Sequence, residues 1–549
     1  MSLIDVALGP APRTTERPPD FIDQGSCRAW LESLPLTNPV LSQTQLMRQL
    51  SLLNRYPLGV DERLKILALL REPLRFVQEQ CLKRFAGRPL PFNAEEQSAC
   101  DASQALWQEL VTAYLHCLPT TAGAETEVTP APHLVASTAA TGALAAMRAI
   151  HLDACHANIL IAPTFWRQLH SIFHAAEELK VARLPVEAGS RGKRTAASAY
   201  VEVLLLAAAS PHELRPKQLT LVADWAQRWS GKVAVRLQPP ADQRTPSLCI
   251  DLRSDRTATY RQPPAQSDAL RWLDLAELRK SIKKRLVRMA QGDSPEVLHL
   301  GRNCEQPVCE AMLKRAYQCW CKGGMRDQPA GPSAVRRARM DCQLVSGFDA
   351  IQYHLAGQIH RDQNGSILPG YHEHEQIATF GRIAAHGGLG DRESPGLMLE
   401  AWRIADQNPA DLRLERPLSP PGKSLVGDQL VAVRFHDGAG FILGKIFWVA
   451  MSASRDAVIA RIRLLPGKPV GITIRNAGPG SGYSDSGRGL FLPHADQLGE
   501  MASMLVPPGW FAPNRIIGVE IEAGVAQEVR IGRLVERGTD FERVTFERL

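Results

Sequence analysis

The spacing of apolar residues divides the chain into a helical first part and a strand-rich last part. Over the first 230 residues, apolar side chains recur at helical spacing, as at Leu46, Leu50 and Leu53, between short polar turns. Two short strands at 232–237 and 248–252, which we predict to pair as a hairpin, and one amphipathic helix follow to about residue 332. Beyond it many short alternating or β-branched runs, the first at 343–353, are separated by glycine turns and predicted to be strands. We therefore predict an α+β multidomain fold, with an N-terminal helical array, a mixed middle segment and a C-terminal β-barrel region.

The domain boundaries follow from changes in this pattern. The opening segment is rich in Pro, Thr, Arg and Asp and has no apolar period, which is typical of a disordered tail. A Gly/Pro stretch at 323–333 is typical of a linker. The predicted division is a tail at 1–25, a helical domain at 26–230, a mixed α/β segment and linker at 231–332, a β-barrel at 333–465 with an insertion at 357–396, and at 466–549 a β extension or a second barrel.

Composition narrows the class of protein. The 549 residues are 44% hydrophobic and 22% charged, with a net charge of +7, which suits several buried cores and excludes a histone-like polycation. Eleven cysteines are scattered singly, as expected where thiols stay reduced. The first residues lack an apolar signal region, and the uncharged stretch 128–147 contains prolines and His133. We expect a cytoplasmic protein without an integral membrane segment, recruited to the inner membrane, if at all, by a partner.

Signatures of catalysis are mostly missing. Gly422-Lys423-Ser424 lacks the earlier glycine of a phosphate loop, because Pro417 stands there, and no nucleophile elbow or dinucleotide fingerprint is present. Two histidines, His372 and His374, have neighbouring glutamates and could hold a divalent ion with them. A hydrolase therefore stays open as a hypothesis, but a solvated loop is the favoured interpretation. We expect no enzymatic activity and no cofactor.

Three further clusters have an ordinary structural interpretation as well as a functional one. The cysteines at 304, 309, 319 and 321 are irregularly spaced, which favours buried thiols over a metal site. The glycine-rich run 478–489 could wrap an anion but is typical of a flexible loop. The basic helix at 279–288 could contact nucleic acid, an anionic membrane face or an acidic partner, although a solvated face is commoner. Without a helix-turn-helix pattern beside it, we expect no nucleic-acid partner.

The most informative cluster is an arginine triplet just before the first predicted barrel strand. Arg336, Arg337 and Arg339 carry guanidinium groups that can clamp phosphate and stack on purines. A later strand ends in a polar turn with Asp406 and Asn408, whose oxygens could accept from a guanine edge or fix the turn.

This arrangement resembles a PilZ-type domain. The resemblance is carried by the arginine lead-in, by the strand that ends at Asp406 and Asn408, and by the barrel strands at 427–434 and 443–448. The helical front and barrel tail are also similar to those of proteobacterial cyclic di-GMP effectors linked with type IV pili. The pattern departs from the family's at Met340, where the second arginine of Arg-x-x-x-Arg would stand, and at Asn408 and Asp411, which replace Ser and Gly of the turn.

The resemblance implies a regulatory protein that binds cyclic di-GMP. The ligand would contact Arg336, Arg337 and Arg339 through its phosphates and guanines, and Asp406 or Asn408 through guanine N–H groups. A change in how the barrel docks on the helical half would pass the signal to a type IV pilus or motility protein. The alternative is a scaffold that has lost the ligand and kept a protein interface.

Overall fold

The structure is a computed structural model that describes most of the chain in two compact units. Residues 1–88 and 92–328 form the first unit, and residues 89–91 with 329–549 form the second. The description covers residues 18–119, 130–187, 192–240, 247–260, 267–301, 304–324, 340–356, 398–408, 410–435, 440–476, 486–494, 501–521 and 525–549. The α+β multidomain class predicted from the sequence is confirmed.

Helices build most of the first unit. Their starts follow capping rules: Asn93 accepts from the backbone N–H of Glu96 while the Glu96 side chain accepts from that of Asn93, and Pro39, Pro163 and Pro216 each occupy a first helical turn. The helices are α1 Gln24–Glu32, α2 Pro39–Arg55, α3 Val60–Leu82, α4 Ala94–Leu115, α5 Pro130–His156, α6 Pro163–Glu178, α7 Ala196–Ala208, α8 Pro216–Trp229, α9 Ala276–Ala290 and α10 Gln306–Cys321.

Buried polar contacts tie the helices together. On α5, Asp153 accepts hydrogen bonds from Trp107 Nε1 at 2.8 Å and Ser103 Oγ at 3.0 Å, both on α4. Burial raises the pKa of Asp153 to about 6. On α7, Glu202 is 1% exposed and forms ion pairs with Arg148 and Arg194. These groups face the protein interior, which marks them as structural.

The first unit corrects two of the sequence predictions. The disordered tail predicted at 1–25 extends too far, because Phe21 is buried in the core and Asp23 caps α1. The strands predicted at 232–237 and 248–252 do not pair with each other. They are the outer strands β3 Ala234–Arg236 and β4 Cys249–Asp251 of a sheet whose central strand is β5 Leu270–Asp274. The described residues of this unit also form a two-stranded sheet, β1 Val186–Glu187 and β2 Lys193–Arg194.

The mixed segment shares its core with the helices. Val233, Leu278 and Trp320 belong to the same buried cluster as Leu46 and Leu144. Trp320 Nε1 on α10 donates to Leu205 O on α7 at 2.7 Å. The boundary predicted near residue 230 therefore marks a change from helices to mixed helices and strands. It does not separate two compact units.

Two closed barrels make up the second unit. Alternation along the strands, such as buried Leu412 and Leu414 flanking half-exposed Arg413, turns one face inward and the other outward. The first barrel contains β6 Met340–Ser346, β7 Glu400–Gln407, β8 Asp411–Pro417, β9 Leu430–Phe435, β10 Phe441–Met451 and β11 Ala457–Leu464, in the order β10-β11-β8-β7-β6-β9. The second contains β12 Val470–Asn476, β13 Ser486–Leu492, β14 Ser503–Val506, β15 Ile516–Ile521, β16 Val525–Arg537 and β17 Glu542–Arg548, in the order β12-β13-β14-β17-β16-β15.

The second barrel decides between the two alternatives for residues 466–549, since these strands close on themselves. One strand prediction was wrong. The run 343–353 is only partly strand, because Gly347 has a φ of 94° and the chain continues as helix α11 Phe348–Ala356. The insertion predicted at 357–396 lies outside the described residues.

A shared apolar seam joins the two barrels. Leu430 and Leu443 of the first barrel and Leu490 and Leu505 of the second belong to one buried cluster with Phe541. Asp540 Oδ1 accepts the backbone N–H of Leu430 at 2.8 Å, and Lys445 forms ion pairs with both Asp428 and Glu536.

Candidate functional site

The sequence-predicted site residues fall into two groups. Arg336, Arg337 and Arg339 lie outside the described residues. Asp406 is near the end of β7, and Asn408 lies in the turn between β7 and β8.

The β7–β8 turn is fixed by the side chain of Asn408. Its Oδ1 accepts from the backbone N–H of Ala410 and of Asp411, each at 2.8 Å, and the backbone N–H of Asn408 donates to Asp411 O at 2.9 Å. Both lone pairs of Oδ1 are therefore used within the turn. These contacts favour a positioning role for Asn408.

Asp406 presents its carboxylate on the outer face of the barrel. Its side chain is 37% exposed, and its Oδ2 lies 3.6 Å from Nη1 of Arg413 on β8. This half-exposed ion pair is long and solvated, so it holds the carboxylate weakly. Asp406 can exchange this partner for a hydrogen-bond donor of a ligand.

Register places Asp406 at one end of a row of side chains that crosses four neighbouring strands. Asp406 pairs with Arg413, Arg413 pairs with Arg461 on β11, and Arg461 pairs with Trp448 on β10. At the strand spacing of a sheet, such a row spans about 14 Å. We call these four residues the cross-strand row.

A β-bulge stands at each end of the cross-strand row. One interrupts the β7–β8 register between Ile404 and Asp406, and the other interrupts the β10–β11 register between Ile446 and Trp448. A bulge adds a residue to one strand and redirects its side chains, and bulges are common beside functional sites. The second bulge leaves both Phe447 and Trp448 half-buried.

Arg461 of the row and its neighbour Arg463 are held by a buried carboxylate and an aromatic ring. Asp411 is 5% exposed, and its oxygens lie 3.2 Å from Arg461 Nη2 and 3.4 Å from Arg463 Nε. The guanidinium carbon of Arg463 lies 4.6 Å from the centre of the Phe447 ring. These contacts orient guanidinium planes before any ligand arrives.

Sequence reasoning missed Arg413, Arg461, Arg463, Phe447 and Trp448. The signal was available in part, because Arg461 and Arg463 alternate with buried Ala460 and Ile462 and so share one face of β11. What the sequence lacks is the register that brings β11 next to β8. Three arginines and two aspartates stand in and beside the row. With aromatic rings beside them, the guanidinium groups could bind phosphate, stack on a base, or do both.

The other chemical candidates have structural explanations or lie outside the description. His372 and His374 are among the undescribed residues, as is most of the glycine-rich run 478–489. Among the described residues, no group of three or more His, Cys, Asp or Glu side chains could hold a metal ion. Cys309, Cys319 and Cys321 are buried thiols, and burial raises the pKa of Cys319 to about 11.

The Gly422-Lys423-Ser424 tripeptide lies beside a buried polar cluster of the first barrel. Arg416 is 4% exposed, forms an ion pair with Glu400 and lies 5.1 Å from the centre of the Trp402 ring. The backbone N–H of Lys423 donates to Glu400 Oε1 at 2.6 Å. Burial lowers the pKa of Lys423, whose Nζ donates to Ser346 O at 3.2 Å.

The first unit has an open groove of about 1080 Å³ between the end of α6 and strands β3 and β5. Its arginines already have partners: Arg271 lies 2.8 Å from Glu177, Arg236 lies 2.7 Å from Asp274, and Arg183 donates to Val235 O at 3.1 Å. The groove is thus less suited to an anion than the face of the first barrel.

Two family models match the chain. Residues 25–241 match the model described as the N-terminal domain of the cyclic-di-GMP receptor FimW, and residues 472–549 match the FimW C-terminal beta-barrel domain. Together they cover more than half of the sequence. The chain belongs to the FimW family. This membership confirms the predicted relationship to cyclic di-GMP effectors.

The FimW match also distinguishes the two barrels. The family's C-terminal barrel corresponds to β12–β17, whereas the first barrel lies between the two matched ranges. No curated protein and no solved structure matches the chain. Among the helices in the described parts of the chain, none is both long and apolar enough to span a bilayer.

Proposed function

We propose that this protein is a non-enzymatic receptor that binds cyclic di-GMP on the outer face of its first barrel, at the cross-strand row. Family membership supports the ligand, because the matching FimW model is described as a cyclic-di-GMP receptor. The observation that carries the location is the row itself, where Asp406, Arg413, Arg461 and Trp448 lie on adjacent strands.

The predicted arginine lead-in is consistent with this location. Met340, the first described residue of β6, pairs with Ile404, two residues before Asp406. In the sequence, Arg339 directly precedes Met340 and Arg336 precedes it by four residues. Arg336, Arg337 and Arg339 would hold the two phosphates, and Trp448 or an arginine plane would stack on a guanine.

Each polar group of the turn has a distinct role in this proposal. Asp406 accepts from the N–H groups of a guanine edge after releasing Arg413. Asn408 keeps the turn in place, since its Oδ1 already accepts two backbone N–H groups. Asp411, buried under Arg461 and Arg463, positions those guanidinium groups.

The receptor acts in the cytoplasm through a protein partner, for which we propose a component of the type IV pilus or motility machinery. The receptor transmits the signal by binding the ligand and does not change the ligand chemically. A ligand changes the receptor only through different affinities for two conformations. The alternative function is that of a scaffold protein whose barrel has kept its fold but no longer binds the ligand.

Titration calorimetry of the full chain with cyclic di-GMP tests the proposal. We expect micromolar or tighter binding, and a loss of at least about tenfold in the Arg336→Ala/Arg337→Ala and Asp406→Asn variants, since each removes a charged contact worth about 1.5–3 kcal/mol. The matched control is Arg530→Ala/Arg533→Ala on β16 of the second barrel, which should bind as the wild type does.

Absence of binding heat at several temperatures, with no protection of the chain by the ligand, would favour the scaffold. Binding that survives both the arginine and the Asp406 substitutions would move the site away from the first barrel.

A further inference from the structure

Helix α9 buries one face in the first unit and presents a lysine-rich face to solvent. Leu278, Ile282 and Met289 are buried. Lys280, Lys283, Lys284 and Val287 are exposed, and their spacing of three, four and seven residues places them on the opposite side. We call these four residues the α9 outer face.

The charge of the α9 outer face is poorly compensated. Its one acidic neighbour in the same turn, Glu277, lies 4.0 Å from Lys280, and both side chains are more than 70% exposed. Such a pair contributes little. In the described part of the chain, no ion pair involves Lys283 or Lys284.

The positive field continues onto the end of α10. Lys322 follows the last residue of that helix and is exposed. Helix α10 packs against α9, so Lys322 adds one more exposed cation to this pair of helices.

An apolar side chain stands within the cationic face. Val287 is 58% exposed and lies one helical turn after Lys283 and Lys284 on the same face. A site for an acidic protein would gain little from an exposed valine next to its lysines. At a bilayer, by contrast, lysine stems extend toward lipid phosphates while a valine enters the interface between them.

We propose that the α9 outer face binds the surface of an anionic phospholipid bilayer, with the lysines facing lipid phosphates and Val287 entering the headgroup region. This contact lies in the first unit and is independent of the ligand proposed for the first barrel. Each lysine near an anionic surface strengthens binding about fivefold, so three or four of them produce weak, reversible attachment.

Sedimentation of the full chain with lipid vesicles tests this inference. We expect binding to phosphatidylcholine vesicles that contain about 30% phosphatidylglycerol, and little binding to phosphatidylcholine alone. Raising the salt to about 0.5 M should release the protein, because it shortens the screening length to a few ångströms. The Lys283→Glu/Lys284→Glu variant should bind at least about twentyfold more weakly.

A matched variant controls for net charge. Lys65→Glu/Lys83→Glu changes two exposed lysines, one in α3 and one directly after it, and alters the total charge equally, so its binding should stay within about twofold of the wild type. A second variant, Val287→Ser, should weaken binding to anionic vesicles and leave retention on immobilised polyglutamate unchanged.

Three results would overturn the inference. The first is no sedimentation with anionic vesicles at low salt. The second is an equal loss in the α9 and α3 double variants, which would mean that only net charge matters. The third is retention on polyglutamate without vesicle binding, which would make the partner an acidic protein.

Discussion

Gly422 is required by the ion pair inside the first barrel. A Cβ atom at this position would lie 2.0 Å from Nη1 and 2.5 Å from Cζ of Arg416. The guanidinium cannot move aside easily, because Glu400 binds it and the Trp402 ring covers it. A single methyl group would thus disturb a buried charge pair.

We predict that Gly422→Ala destabilises the first barrel by about 1–3 kcal/mol, the usual cost of overpacking a filled interior. The measurement is hydrogen–deuterium exchange of the β7 and β8 amides in the full chain, which should become faster. Gly427→Ala is the control, since no atom lies within 4 Å of a Cβ there. Equal exchange in the two variants would contradict the expectation.

Asp540 makes the seam between the barrels sensitive to pH. Burial raises the pKa of this carboxyl to about 6 from 3.8, against the opposing effect of the Leu430 N–H. Its Oδ2 has no hydrogen-bond partner among the described residues. The folded state therefore binds the proton more tightly than the unfolded state, so stability falls as the pH rises from about 4 to 6.

We predict that Asp540→Asn keeps the acceptor for Leu430 and removes the buried charge. Relative to wild type, the variant should be more stable by about 1–3 kcal/mol at pH 7, and the difference should vanish below about pH 4. This difference in stability is measured by urea unfolding across this pH range, monitored through the hydrogen exchange of amides in the seam. The control is Asp456→Asn, because hydrogen bonds from Ser454 and Ser452 lower the pKa of Asp456 and the effect should have the opposite sign. A constant difference at all pH values would contradict the assignment.

At the scale of elements, periodicity predicted those strands and helices whose two faces differ. The alternation in β8 and β11 and the capping box of α4 were visible in the sequence. Pairing was harder: β3 and β4 look like a hairpin because they are neighbours in sequence, yet β5 comes between them. A strand that comes later in the sequence can insert between two neighbouring strands, and the local sequence pattern does not predict this.

The candidate site was predictable only in part for the same reason. The Asp406 turn follows from turn chemistry, whereas the cross-strand row depends on the register of four strands and on two bulges. The inward position of Arg416 follows the alternation of Leu412 and Leu414 in β8. Its partner Glu400 lies on another strand, so the ion pair was not evident.

The second bulge leads to a prediction for Trp448. We expect Trp448→Ala to weaken cyclic di-GMP binding about tenfold, because stacking of one base on an aromatic ring contributes about 1–3 kcal/mol. Calorimetry measures this, with Trp272→Ala on β5 of the first unit as the control for loss of a half-buried tryptophan. Unchanged affinity in Trp448→Ala would remove Trp448 from the site and leave the arginines as its stacking surface.

At the scale of the whole molecule, the described chain consists of two units with different cores. The helices and the small sheet share one cluster, and the two barrels share the seam around Phe541. A ligand on the first barrel should therefore stabilise the second unit as a body, because the barrels are joined by apolar packing and by Lys445.

We predict that cyclic di-GMP at about 100 times its Kd stabilises the second unit by about 2.7 kcal/mol. Hydrogen exchange should slow in core strands of both barrels, including β10 and β14, while α4 in the first unit exchanges at an unchanged rate. Protection confined to the helices would place the ligand in the first unit instead.

The seam also has a consequence for synthesis. All six strands of the first barrel are present once residue 464 has been made, but Leu430 and Leu443 are covered in part by Phe541 and by leucines of the second barrel. At about 5–20 residues per second, several seconds pass before Phe541 leaves the ribosome. During that interval the nascent first barrel exposes to solvent the apolar side chains that the second barrel later covers.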